Sequence, residues 1–253
     1  MRALSKGRFT ARFAESAVDL RRAQELRHRV FIEARTGAAP RPEGRDADGF
    51  DGDCRHVLIE EAAGGRLVCC FRLLPLAHGA EIGRSYAAQF YELSALARYR
   101  GRMVEMGRFC IDPDHAGDPD ILRLAWGAMA RLVDEEGVQM LFGCSSFEGT
   151  EAERYRDAFA LLKKNHLAPR RWLPRVKAPR VFPFARRLRD ARPDPRRAFL
   201  TLPPLLRGYL ALGGWVSDHA VVDTDLNTLH VFTALEIAAI PPARARSLRA
   251  AAA

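Results

Sequence analysis

No apolar run in this chain approaches the roughly 18 residues of a membrane-spanning helix. The opening residues, Met-Arg-Ala-Leu-Ser-Lys-Gly-Arg, lead into no apolar stretch of the secretory kind, so no signal peptide is expected. Cysteine is scarce, at five residues, an odd number without any C-x-x-C pair. Cys69 and Cys70 lie inside an apolar run, so the thiols read as reduced core groups of a cytoplasmic protein, and no metal site is expected. Internal repeats are also missing. Charged residues make up 28% and hydrophobic ones 48%, which excludes wholesale disorder. A length of 253 residues suits one to two domains and a core that needs no disulfide staples.

The net charge is +9, and it is not spread evenly. Residues 166–200 hold eleven basic and two acidic side chains, while the other 218 residues hold 29 of each. The chain is thus a neutral body with one cationic belt. Six prolines in the belt forbid a long helix there. Three partners suit such a belt: nucleic acid, an anionic membrane surface or an acidic protein. A solvated basic loop is the plain alternative. No helix-turn-helix, zinc-finger or RNA-platform pattern surrounds it, so no nucleic acid is expected.

Along the chain, residues 15–34 read as a helix, with Arg27 inside its apolar stripe, one turn from Ala23 and from Phe31. An arginine there snorkels out, meets a buried carboxylate or lines a polar cavity. Residues 36–53 read as a loop ending in Asp46, Asp48, Asp51 and Asp53. Four carboxylates in eight residues repel one another unless a cation sits among them: calcium, an ammonium or an arginine. The spacing is not that of an EF-hand, and a solvated acidic turn is the plain alternative. Strands over 56–60 and 66–74 form a hairpin around 62–65, and Arg72 points into an apolar layer. In the strand over 103–111, a bulge at Gly107 would bring Glu105 and Arg108 to one face. A helix capped by Asp118 and stopped by Gly137 follows, with Leu122, Trp126, Met129 and Val133 as its stripe. Next come a strand over 139–144 and a helix opened by the capping box Thr150-Glu151-Ala152-Glu153. Beyond the belt, 205–212 reads as helix, and 220–222 and 229–235 as strands. The cluster Asp112, Asp114, His115 and Asp118 reads as an acidic loop before a helix rather than a metal site.

Several ordered motifs carry a family likeness. Leu26-Arg27-His28-Arg29-Val30-Phe31, Asp48-Gly49-Phe50-Asp51, Phe71-Arg72-Leu73-Leu74-Pro75 and Glu105-Met106-Gly107-Arg108-Phe109 resemble acyl-homoserine-lactone synthases and their GNAT-like relatives. The run Met106–Pro113, with Pro203–Gly213 and Asp223–Thr228, is more similar to the ornithine-lipid N-acyltransferases, a group also called hemolysin-like. The likeness spans roughly residues 10–235, each motif being weak alone. It implies an α/β fold, a mixed sheet with GNAT-like topology and a C-terminal extension. The expected division is a core over 1–168, the belt over 169–200 and an extension over 201–253, disordered from about 241. Ordinary GNAT enzymes hold coenzyme A on a glycine-rich turn, whereas this turn, 112–120, is rich in carboxylates that repel phosphate. The lactone synthases carry a Trp in the loop directly after the position of Phe31, whereas this chain reads Glu-Ala-Arg-Thr-Gly-Ala-Ala over 33–39, with no Trp in that loop.

What the resemblance implies is an N-acyltransferase with no bound cofactor. It would take a 3-hydroxyacyl group from an acyl carrier protein thioester to the α-amine of ornithine, giving lyso-ornithine lipid. Glu105, with a raised pKa, would be the base and Arg108 its catalytic partner. Arg27, Phe31, Asp48, Asp51, Arg72, Phe109, Ser145 and Ser146 would bind substrate. Arg170, Arg171, Arg175, Lys177, Arg180, Arg186 and Arg187 would dock the acidic carrier or an anionic inner-membrane surface. The alternative for the charged set is a group of buried ion pairs that fix the fold. Two other functions stay open: a lactone-type or other N-acyl amino acid synthase, and a non-catalytic membrane or nucleic-acid adaptor.

Overall fold

The computed structural model describes residues 3–34 and 43–252. The first part of the loop expected over 36–53, up to residue 42, lies outside the described residues. In chain order, β1 (Leu4–Lys6) and β2 (Phe9–Phe13) precede α1 (Ala17–His28), which continues through one π-type turn, Arg29–Glu33. Then come β3 (Arg55–Glu61), β4 (Leu67–Leu76), β5 (Tyr91–Glu92) among short 3-10 turns, β6 (Arg102–Ile111), α2 (Pro119–Glu136), β7 (Val138–Glu148) and α3 (Arg156–Asn165). The belt carries β8 (Arg175–Val176), β9 (Val181–Phe182), α4 (Phe184–Arg187) and α5 (Pro195–Thr201). After it stand α6 (Pro204–Ala211), β10 (Trp215–Val216), β11 (Ala220–Asp223), β12 (Thr228–Glu236) and α7 (Pro242–Ala252).

The chain forms two compact units whose limits do not follow the expected cuts at 168 and 200. One comprises Met1–Pro75, Met106–Val138 and Pro241–Ala253; the other comprises Leu76–Glu105 and Gln139–Ile240, including the whole belt. In the first unit β1, β2, β3 and β4 pair antiparallel in that order. The register of β3 on β4 slips between Ile59 and Glu60, leaving Val68 as the extra residue of a bulge. The β3–β4 turn uses Gly64 and Gly65, both at positive φ, as a hairpin loop requires. Asp118 accepts a bond from the Asp120 N–H (3.0 Å) at the start of α2, and Gly137 ends it at φ 64°. The deeply buried face of α2 is Ile121, Leu124, Ala128, Met129 and Leu132, so Leu122 and Trp126 of the expected stripe flank it.

In the second unit β7 and β12 pair antiparallel from Glu148–Thr228 to Met140–Glu236, followed by β11 and β9. Helices α3 to α6 cover an aromatic core in which the Phe159 and Phe184 rings stack at 5.1 Å. Two local expectations fail. The helix expected to open on a capping box at Thr150 begins as a 3-10 turn, Ala152–Tyr155, capped at Glu151 without a side-chain bond. The tail expected to be disordered from 241 carries α7. Pro242 takes its first turn, its alanines and arginines are good helix formers, and Arg249 pairs with Asp134 of α2 (2.8 Å).

Candidate active site

The stripe of α1 sets the first contact. Ala23 lies over β4, its carbonyl oxygen 3.7 Å from the Cys70 sulfur. One helical turn on, Arg27 reaches past the same strand, with its side chain 1% exposed. Of the three fates open to an arginine there, the structure shows the buried carboxylate. Arg27 forks onto Asp51 with bonds of 2.8 and 2.9 Å, and its Nε donates to Asp46 (3.0 Å). It also donates to the Asp46 carbonyl. Two residues along β4 from Cys70, on the same face, Arg72 donates to Asp51 (2.7 Å) and Asp48 (2.8 Å). Arg108 closes the set, donating to Asp46 (2.9 Å) and Asp48 (3.2 Å).

Among the described residues, three arginines and three aspartates thus form one continuous network in which these six formal charges balance. The cation expected within the acidic loop is arginine. The loop itself is shaped by the Phe50 N–H donating to Asp48 (3.0 Å) and by the Asp46 N–H donating to the Gln24 carbonyl (3.1 Å). Burial alone would raise the Asp51 and Asp48 carboxyls, but the arginine bonds and charges overcome it and hold both below the usual range. Burial likewise opposes the charge of Arg27, and Asp51 and Asp46 outweigh it, raising its pKa.

The network has an inside and an outside. Asp46 and Arg27 are 0% and 1% exposed, whereas Arg108 is 9% and Asp48 21% exposed. Arg108 also stands at φ 54°, a left-handed conformation uncommon for a side-chain-bearing residue. Strand β6 runs on through Gly107, where a bulge was expected, and its irregular backbone lies at Arg108, the next residue. Phe109 stacks on Phe71 at 5.6 Å, and Phe31 is buried in the π-type turn.

Glu105, in the other unit, is 4% exposed. Its two oxygens accept the Tyr86 N–H (2.7 Å) and the Ala87 N–H (2.8 Å) at the start of a 3-10 turn. Ser145 and Ser146 are consecutive in β7 and face opposite ways: Ser145 is buried and accepts from the Thr233 hydroxyl (2.9 Å), whereas Ser146 is exposed. A single thioester site lined by both is therefore excluded. All seven basic docking candidates are exposed.

Sequence reasoning passed over Asp46 as a site residue, although it stands in the acidic run. It also passed over Gln24, which donates to Asp51 (2.8 Å), and His56, whose Nε2 lies 3.0 Å from the Asp51 carbonyl. Gln24 was visible as the polar residue three before Arg27 on the same stripe. The Tyr86 and Ala87 amides carry no side-chain signal at all. In the acidic turn, Asp112 and Asp118 act as caps, and Arg66 holds Asp114 at 2.6 Å.

Three comparisons bear on this arrangement. The acetyltransferase (GNAT) domain family matches residues 26–126, a span that includes Arg27, Arg72, Glu105 and Arg108. The chain is 35% identical over 240 residues to an L-ornithine N(alpha)-acyltransferase of Rhodobacter capsulatus, covering 92% of this chain and 91% of that one. It is 32% identical over 243 residues to an L-ornithine N(alpha)-acyltransferase of Rhizobium meliloti, covering 90% and 80%. Among solved structures, an N-acyl amino acid synthase from uncultured soil microbes shares the fold, with TM-score 0.50, 12% identity and coverage of 92% and 94%.

Proposed function

Since this chain belongs to the L-ornithine N(alpha)-acyltransferase family and is an N-acyltransferase with a GNAT-type α/β fold, we propose that it moves a 3-hydroxyacyl group from an acyl carrier protein thioester to the α-amine of ornithine, giving lyso-ornithine lipid. The observation that carries this reading is the 35% identity running over nine-tenths of both chains.

The reaction needs a neutral amine, because an ammonium has no lone pair for the thioester carbon. Glu105, a buried carboxylate, takes that proton, directly or through a water. The amine nitrogen then bonds to the carbonyl carbon, the C–S bond breaks, and the carrier's thiol leaves with a proton. The acceptor is a zwitterion with a second cation. Its carboxylate pairs with Arg108 and its δ-ammonium with Asp48, the two most exposed members of the network. Arg27, Asp46 and Asp51 lie behind them and hold them in place. Arg72, at 3% exposed, bridges the two layers. The product carries a fatty chain, which suits peripheral attachment to the inner face of a membrane; among the described residues no helix is long and apolar enough to cross one.

Expressing the chain in a host that makes no aminolipids and analysing the lipids by mass spectrometry tests this reading. A new amide-linked 3-hydroxyacyl-ornithine is the expected product. Folded protein with both substrates present and no such species would overturn it, and an acylated lactone or another acylated amino acid would redirect it. With purified components, Glu105→Gln keeps the volume but sets an amide NH2 against one of the two backbone N–H groups. Turnover is expected to fall by about 10²–10⁴-fold with the unfolding midpoint lowered only modestly; near-normal turnover, or a loss no larger than the fraction unfolded, would reduce Glu105 to a cap for the Ala87–Gln89 turn.

A further inference from the structure

The belt is not uniform. Its first part is tied to the rest of the second unit: Arg171 pairs with Glu236 (3.7 Å), Arg175 with Glu92 (3.3 Å), and Lys177 donates to the Ala88 carbonyl (2.6 Å). Its last part behaves differently. Helix α5 turns Ala198 (0% exposed) inward, and Leu202 (4%) follows on the same side, packing with α3. This leaves Phe199 and Leu200 pointing out, 57% and 71% exposed. The other large exposed apolar side chains among the described residues, Val18, Leu167 and Val176, stand singly, as surface apolar residues ordinarily do. Phe199 and Leu200 are adjacent and ringed by cations. Arg196 and Arg197 are exposed beside them with no carboxylate partner among the described residues, and the Arg207 guanidinium lies 4.7 Å over the Phe199 ring. From 186 to 197 there are six arginines and two aspartates. One aspartate, Asp194, is occupied as the cap of α5, and the other, Asp190, pairs with Arg189 (3.0 Å).

We propose that the outer edge of α5 is a membrane-contact site, in which Phe199 and Leu200 enter the headgroup–acyl boundary of an anionic lipid surface while Arg196, Arg197 and Arg192 pair with lipid phosphates. Two features select lipid. Desolvating a leucine and a phenylalanine is favourable only in an apolar medium, and nucleic acid offers a leucine none. The flanking charge is of one sign, matching an anionic leaflet and supplying the second signal that stable attachment needs. Helix α5 has only seven residues, so it acts as a two-residue tip rather than as a helix lying in the interface. The inference concerns attachment alone and stands whichever amine the enzyme acylates.

The test is sedimentation of the full chain with vesicles of phosphatidylglycerol and phosphatidylcholine, against vesicles of phosphatidylcholine alone. Binding to the anionic vesicles is expected, falling as salt rises. Removing both tips in Phe199→Ser/Leu200→Ser should weaken it by about tenfold or more for each side chain. Arg196→Ser/Arg197→Ser should weaken it by about fivefold per arginine. Acyl transfer measured without vesicles should stay at the level of the unaltered chain in both variants, which shows that they fold. Full vesicle binding by Phe199→Ser/Leu200→Ser overturns the proposal. So does loss of acyl carrier protein binding in that variant while vesicle binding persists, or a dimer that the same variant dissolves. Failure to make an ornithine product leaves the vesicle result unchanged, so the two readings fail separately.

Discussion

Arginine is used in two opposite ways in this chain. In the first unit Arg27, Arg72 and Arg108 are 1%, 3% and 9% exposed, and each is matched by aspartate within 3.0 Å. In the belt, Arg170, Arg180, Arg186, Arg192, Arg196 and Arg197 are exposed, and acidic residues are outnumbered eleven to two. The difference follows from the medium. A buried guanidinium without a partner is prohibitively costly, so burial enforces pairing and a balance of charge. An exposed one is solvated and screened, so a surplus of one sign is tolerated and stays available to a partner. The buried set therefore fixes geometry and the exposed set supplies attraction.

The sharpest way to break this contrast is to remove the innermost cation. Arg27→Met takes the forked partner from Asp51 and one of two arginines from Asp46, leaving three aspartates to two arginines in the network. A loss of about 3–5 kcal/mol in unfolding free energy is expected, the range for breaking a buried pair on one side, read from urea denaturation. A loss below about 1 kcal/mol, the range of surface pairs, would mean that the two sets do not differ in kind.

Acid separates the sets next. Burial first, and the charges of Arg27 and Arg72 after it, keep His56 neutral below its usual range. The unfolded chain takes up that proton near pH 6.5, so stability should begin to fall there, at up to about 1.4 kcal/mol per pH unit for one proton. Asp48 and Asp51 are depressed in the folded state. Their contribution is complete above the unfolded carboxylate value of about 4 and is lost as pH falls below it towards their depressed values. The decline should therefore steepen below about pH 4, and His56→Gln should remove His56's share of the earlier part. The belt arginines are exposed and screened by solvent, so their substitution should leave the profile nearly unmoved.

A smaller effect separates the outer from the inner layer of the network. Asp48 is 21% exposed, so Asp48→Asn should cost less stability than Arg27→Met. If Asp48 meets the δ-ammonium, KM for ornithine should rise about tenfold, with kcat changed less, since the lost contact is made before the transition state. An unchanged KM together with a large stability loss would place Asp48 with the inner, structural members.

How much of this was legible depended on periodicity. Arg27 stood out because a 3.6-residue period set it in an apolar stripe, and Arg72 because both faces of its strand were apolar. Asp48 and Asp51 were visible as a repelling cluster that needed cations. What the sequence could not signal was non-periodic or main-chain. Residues 76–101 are mostly 3-10 turns, whose hydrophobic spacing matches neither helix nor strand, so the amides of Tyr86 and Ala87 that hold Glu105 were invisible. The hairpin of Leu4–Lys6 and Phe9–Phe13 was passed over although Phe9, Ala11 and Phe13 alternate with Thr10 and Arg12, which is the strand period. Ser145 and Ser146 were grouped by chemistry, although strand alternation alone already separated them.

The smallest expected effect belongs to the belt and completes the contrast. Arg170 and Arg180 are exposed and have no carboxylate partner among the described residues. Arg170→Ser/Arg180→Ser should leave the unfolding free energy within about 0.5 kcal/mol of the unaltered chain. The sign is informative. Removing two like charges from a cationic surface relieves repulsion, so the variant should be slightly more stable at low salt, and the difference should vanish once screening shortens the range to about 3 Å at 1 M. A loss above about 1 kcal/mol that salt does not alter would require those arginines to hold the fold together, and the division between a paired interior and a solvated surplus would no longer describe this protein.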